Sequence, residues 1–115
     1  MEIGVDIESV KRFRKQHYDR NKSFYENIFT DKEIKYCLSK ADPYPHFTAR
    51  FCAKEAVIKA IGGSVYRAKD IEIINDKKGK PFVKLKTKNL KLKTKVLVSL
   101  SHTKEYAIAF AIWLN

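Results

Sequence analysis

Residues 50–63, RFCAKEAVIKAIGG, decide the architecture. Phe51, Ala53, Val57, Ile58 and Ile61 recur at three- and four-residue spacing, the period of an α-helix with a buried face. The pattern predicts the longest helix of the chain, running from about Phe47 through TARFCAKEAVIKAIG and stopped by Gly62 and Gly63. Lys54, Glu55 and Lys59 interrupt this apolar stretch. Glu55 and Lys59, four apart, share a face, and Lys54 points about 100° away. Two readings stand side by side: a surface ion pair worth a few tenths of a kcal/mol, or the polar wall of a site.

Upstream, MEIGVDIE alternates Ile3, Val5 and Ile7 with Glu2, Gly4, Asp6 and Glu8, a strand expected to bury the isoleucine and valine face. Ser9 then reads as the N-cap of a basic helix, VKRFRKQHYDRN, from which Arg12, Arg14, Lys15 and Arg20 project. Thr30 and Glu33 form a capping-box signature opening a short helix to about Leu38, and the two prolines of ADPYPHF predict a loop. Downstream, DIEIIN, the turn DKKGK and PFVKL read as a hairpin. VLVSLS and YAIAFAIWL are further strands, the last apolar enough to be buried on both faces. The lysine-rich KLKTKNLKLKTK reads as an exposed connection or edge strand. The expected fold class is α+β: an antiparallel sheet packed against one long central helix, with shorter N-terminal helices.

A chain of 115 residues with 44% hydrophobic content supports one core, hence a single domain over 1–115. No stretch reaches the roughly 20 apolar residues of a membrane span, and MEIGVDIE lacks the features of a signal peptide, so a soluble, cytoplasmic protein with no membrane partner is expected. Cys37 and Cys52 have no CxxC spacing and read as reduced, buried thiols. The formal net charge of +11 favours an acidic partner, whether nucleic acid, phosphorylated ligand or protein.

Asp6 and Glu8 stand at i and i+2 on a strand, so both carboxylates leave the same face. They read either as a solvated edge or, together with Glu55, as two or three oxygen ligands for Mg²⁺, which also takes phosphate oxygens. Lys59 would then face a phosphate. His102 lies with Ser99, Ser101 and Thr103 where two apolar strands meet, as a turn residue or a ligand contact. There is no Walker phosphate loop, no G-x-S-x-G and no Cys–His pair, so no nucleophile is evident.

The order GVDIESVKRF, RFCAKEAVIKAIG, DIEIINDKKGKPFV and SLSHTKEYAIA resembles the 4′-phosphopantetheinyl transferases, in their short holo-acyl-carrier-protein synthase form. The resemblance covers roughly residues 3–13 and 49–112. It implies Mg²⁺-dependent transfer of the phosphopantetheine arm of coenzyme A to a serine of an acidic apo acyl carrier protein, releasing 3′,5′-ADP. By position, Asp6 and Glu55 match the metal-binding carboxylates, and Lys59 the lysine that contacts phosphate. His102 matches the histidine associated with coenzyme A, with Lys54, Ser101 and Thr103 as further cofactor contacts. Asp6, Glu55 and Lys59 are the implied catalytic set, Glu55 also being the candidate base. Arg12 matches the family's arginine after the first motif, and Arg14, Lys15 and Arg20 beside it read either as a docking face for the carrier or as a solvated basic helix. The resemblance further implies a homotrimer with active sites at subunit interfaces, where Asp6 and Glu55 meet across two chains. Two departures stand out: Glu8 makes D-I-E, the pattern of the longer surfactin-type transferases, and so a third metal ligand, and GGSVYRAKD is shorter and less glycine-rich than the usual loop. The rival readings are a nucleic-acid-binding module using the basic helix and a non-catalytic relative that binds coenzyme A or the carrier.

Overall fold

In the computed structural model, which describes residues 1–62, 67–86 and 95–114, the central helix carries the rest of the molecule. The N-terminal strand β1 (Glu2–Ser9) lies beneath it, paired antiparallel with β5 (Tyr106–Leu114), which pairs in turn with β4 (Lys95–His102), giving the order β1-β5-β4. A separate hairpin is formed by β2 (Ile71–Asn75) and β3 (Pro81–Leu85). Its turn is closed by Asp76, whose carboxylate accepts the Lys78 and Lys80 N–H groups at 2.9 Å, and by Gly79 at φ +85°. The architecture is the expected α+β one. Most of KLKTKNLKLKTK, residues 87–94, lies outside the described residues, as do residues 63–66 of GGSVYRAKD.

Among the described residues four α-helices follow in chain order: α1 (Lys11–Arg14), α2 (Lys22–Ile28), α3 (Asp31–Leu38) and α4 (Pro43–Ile61). The capping box at Thr30 forms as expected, its hydroxyl accepting the Glu33 N–H and Glu33 accepting the Thr30 N–H. By contrast, PYPHF is helix and not loop. Asp42 caps α4 by accepting the Tyr44 N–H at 3.4 Å, and both prolines occupy the first turn, where a backbone N–H has no helical partner to lose. The helix ends at Gly62, φ +75°, whose N–H reaches the Ile58 carbonyl at 3.0 Å.

The long basic helix expected after β1 is broken. After α1 the chain makes only a single 3₁₀ turn, Tyr18–Arg20, before α2, which the sequence reading did not include. An aromatic core explains the break: Phe13, Tyr25, Phe29 and Phe47 are buried together, and the Tyr25 hydroxyl donates to the Phe13 and Gln16 carbonyls at 3.1 and 2.6 Å. Val10, buried, holds the N-cap position of α1, and Ser9, one residue earlier, still accepts the Lys11 N–H at 3.3 Å.

The faces of β1 are the reverse of the expected ones. Ile3, Val5 and Ile7 are 63%, 50% and 64% exposed, whereas Gly4, Asp6 and Glu8 turn toward α4. The reason is steric. A Cβ on Gly4 would stand 2.0 Å from the Ala56 carbonyl oxygen and 2.8 Å from the Ala60 nitrogen, so the helix sits directly on the strand backbone. Nor is β5 buried on both faces: Ala107, Ala109 and Ala111 pack under α4, while Tyr106, Ile108 and Phe110 face outward. Both cysteines are free and buried as expected, and burial pushes the thiols of Cys37 and Cys52 up to about 12. Among the described residues no helix is long and apolar enough to cross a membrane.

Candidate active site

The register of the three-stranded sheet places the predicted residues in two rows. Asp6 pairs with Ala109, which pairs with Leu100; Glu8 pairs with Ala107, which pairs with His102. Paired residues point to one face, so Asp6, Glu8 and His102 all stand on the side of α4. The small alanines between them let the helix come close, with the Cys52 thiol donating to the Ala107 carbonyl at 3.5 Å.

Lys59 bridges helix and strand. Its ammonium donates to Asp6 Oδ1 at 3.1 Å and to the Val5 carbonyl at 3.0 Å. The simple i,i+4 pair with Glu55 is therefore not formed. Glu55, half-buried, has no hydrogen-bond or ion-pair partner among the described residues. Asp6, Glu8 and Glu55 share one neighbourhood around Cys52: beyond the effect of burial, all three carboxylates push that thiol upward. Asp6 and Glu55 thus share the surroundings of Cys52 within one chain.

Among the described residues no three His, Cys, Asp or Glu side chains close into a metal cage. Mg²⁺ does not need one, because it usually takes one or two carboxylates and completes its shell with water and substrate phosphate. Asp6 and Glu55 fit that donor set. Glu8, in the same neighbourhood, also pairs with the following helix: its Oε2 accepts Arg12 Nη1 at 2.9 Å, and the Arg12 guanidinium lies 5.0 Å from the centre of the Phe51 ring.

Three of the expected cofactor contacts are placed otherwise. Lys54 is fully buried, paired with Glu33 at 2.7 Å and donating to the Ala68 and Ile71 carbonyls at 2.9 and 2.5 Å, so its ammonium is spent inside the fold. Ser101, paired with Ile108, lies on the outward face of the sheet, away from the carboxylates. The Thr103 hydroxyl shapes the β4–β5 turn by accepting the Glu105 and Tyr106 N–H groups at 3.2 and 3.0 Å. His102 remains exposed at the end of its row, and it has a neighbour that the sequence reading missed, His46. Placing α4 from Pro43 would have revealed it.

Arg12, Arg14, Lys15 and Arg20 are all exposed, but on two elements and not one helix. Arg14 grips Asp42 with two hydrogen bonds, 3.0 and 2.7 Å, which hold that carboxyl below the usual carboxylate range. Two clefts among the described residues lie elsewhere: one of about 520 Å³ around Glu72, Arg67 and Lys84, the other of about 630 Å³ between the β2–β3 turn and β4. Asp6, Glu55, Lys59 and His102 line neither. Their site is open on a single chain.

Residues 2–111 match the family model of the 4′-phosphopantetheinyl transferase superfamily. The holo-[acyl-carrier-protein] synthase of Chlamydia caviae is 47% identical, covering 97% of this chain and 95% of its own. That of Thermodesulfovibrio yellowstonii is 41% identical over 96% of this chain and 95% of its own. Among solved structures, a Bacillus anthracis holo-(acyl-carrier-protein) synthase in complex with CoA (3′,5′-ADP) superposes with a TM-score of 0.82 at 32% identity, covering 97% of this chain and 94% of that one. The Helicobacter pylori enzyme in complex with coenzyme A gives 0.83 at 28% identity, covering 97% and 99%.

Proposed function

Because this chain belongs to the 4′-phosphopantetheinyl transferase superfamily, we propose that it is a single-domain holo-[acyl-carrier-protein] synthase. It transfers the phosphopantetheine arm of coenzyme A to a serine of an apo acyl carrier protein. The serine oxygen forms a bond to the pantetheine-side phosphorus of the pyrophosphate, the anhydride P–O bond breaks, and 3′,5′-ADP leaves. The nucleophile belongs to the partner, which accounts for its absence from the motifs of this chain.

The observation that carries the reading is the convergence of Asp6, Glu55 and Lys59 where α4 crosses β1. Asp6 and Glu55 would hold a Mg²⁺ ion, which would supply neutralisation of the charge that develops on the pyrophosphate. Lys59, exposed and already at the site, pairs with the departing phosphate. Glu55, with no protein partner among the described residues, takes the serine proton directly or through a water. His102, one row further along the sheet, is the coenzyme A contact. Exposed Arg12, with Arg14, Lys15 and Arg20 beside it, meets the acidic carrier, in keeping with the net charge of +11.

The outward apolar face supports a homotrimer, with neighbouring copies covering Ile3, Val5, Ile7, Ile108 and Phe110 and completing the open sites. Such a protein works in the cytoplasm, in fatty-acid and other lipid synthesis. No feature of the site favours nucleic acid.

The test is incubation with coenzyme A, Mg²⁺ and apo carrier protein, read by mass spectrometry. The carrier gains one phosphopantetheine arm, and Glu55→Gln lowers the rate about 10²-fold or more. No mass gain across several carriers overturns the reading; full Mg²⁺-dependent activity in Glu55→Gln removes Glu55 from the site.

A further inference from the structure

His46 lies outside the motifs that carry the family resemblance, yet it touches the one imidazole within them. Its ring meets that of His102 with centroids 4.8 Å apart and planes at 68°, an edge-to-face contact. His46 also meets the ring of Tyr36 edge-on at 6.0 Å and 77°. Tyr36 is held in its turn: the guanidinium of buried Arg50 lies 3.9 Å from its ring centre and the Lys40 ammonium 4.7 Å. Arg50 is anchored by a 2.9 Å hydrogen bond to Asn75 at the end of β2. A line of packed groups therefore runs from the hairpin through Arg50, Tyr36 and His46 to His102. The His102 imidazole, exposed, makes no hydrogen bond among the described residues, so the ring contact is what fixes it.

We propose that His46 is a positioning residue for His102, fixing by ring contact the orientation in which that imidazole meets coenzyme A. The proposal rests on the reading of His102 as a coenzyme A contact. A side chain already held in its bound rotamer loses less freedom when the ligand arrives, so the contact acts on binding and not on the chemical step.

The contact also responds to pH. Burial, then the charges of His102, Lys40 and Arg50, hold His46 below the usual imidazole range, with Asp42 pulling the other way. At neutral pH His46 is uncharged and its ring edge rests on His102. On acidification it gains a proton against the charges of His102, Lys40 and Arg50, which loosens the ring contact.

The test combines steady-state kinetics with NMR titration of the ring protons on the full chain, which has three histidines, so variants assign the signals directly. His46→Ala raises KM for coenzyme A about three- to tenfold, with kcat within about twofold. His46→Phe, which keeps a ring edge, restores KM to within about twofold of the native value. His102→Ala moves the titration midpoint of His46 up, because a neighbouring charge that holds it down has gone. An unchanged KM in His46→Ala, or an unmoved His46 midpoint in His102→Ala, overturns the proposal. If His46→Ala does not fold, the His46 midpoint in His102→Ala decides. A native protein with no turnover at all defeats the transferase reading instead, and the NMR titration still judges the ring contact.

Discussion

Lys54 and Lys59, five positions apart on α4, put the same ammonium group to opposite uses. Lys59 is exposed and reaches across to Asp6, where substrate can meet it. Lys54 has no exposure at all and spends its protons on Glu33 and two carbonyls, joining α3, α4 and the start of β2. Burial lowers its pKa while the Glu33 carboxylate opposes that shift. Removing one member of such a pair leaves the other buried and uncompensated. Lys54→Met is therefore expected to lose about 3–5 kcal/mol in urea unfolding, and the added change Glu33→Gln to recover part of it. A Lys54→Met protein within about 1 kcal/mol of native stability would contradict the account. Sequence placed Lys54 off the Glu55–Lys59 stripe but could not bury it. Its partner was already assigned to the capping box, and nothing local shows that Glu33 also accepts Lys54 and the Ile73 N–H.

At the scale of elements, β1 and α4 form the site by lying closer than side chains normally allow. The backbone of the helix rests over Gly4, so Gly4→Ala must push the two apart. Overpacking of this kind costs about 1–3 kcal/mol, and here it also moves Asp6 away from Lys59. The expected outcome is a lowered thermal midpoint together with transferase activity reduced by more than the folded fraction explains. Retained stability and full activity would show that the interface relaxes freely. The elements themselves were largely legible: the central helix, the hairpin, the capped α3 and both C-terminal strands follow from period and turn chemistry. What was not legible is which face of β1 goes inward. Hydrophobicity favoured Ile3, Val5 and Ile7; the fit of Gly4 against Ala56 and Ala60 decided otherwise, and that fit belongs to a pair of elements. The first turn of α4 was missed because prolines read as breakers unless Asp42 is recognised as the cap.

At the scale of the whole molecule, one sheet face packs on α4 and the other is a band of aliphatic and aromatic side chains open to solvent. Val5 is 50% exposed, Ile108 44% and Phe110 39%. A band of this size marks an association surface, and the proposed trimer uses it. Val5→Asp places a charge in the middle of that band without touching the face toward α4. It is expected to yield a folded monomer by light scattering, with little transferase activity. A Val5→Asp protein that stays trimeric and active would place the interface elsewhere. The strand that carries Val5 also carries Asp6, so the two surfaces alternate residue by residue. Side chains on a strand repeat every two positions, and gain or loss of a single residue exchanges the faces. A one-residue insertion within β1 would send isoleucines against the helix and carboxylates to the outward face, abolishing both the proposed site and the proposed association in one event. The spacing of this strand is therefore held more tightly than its composition.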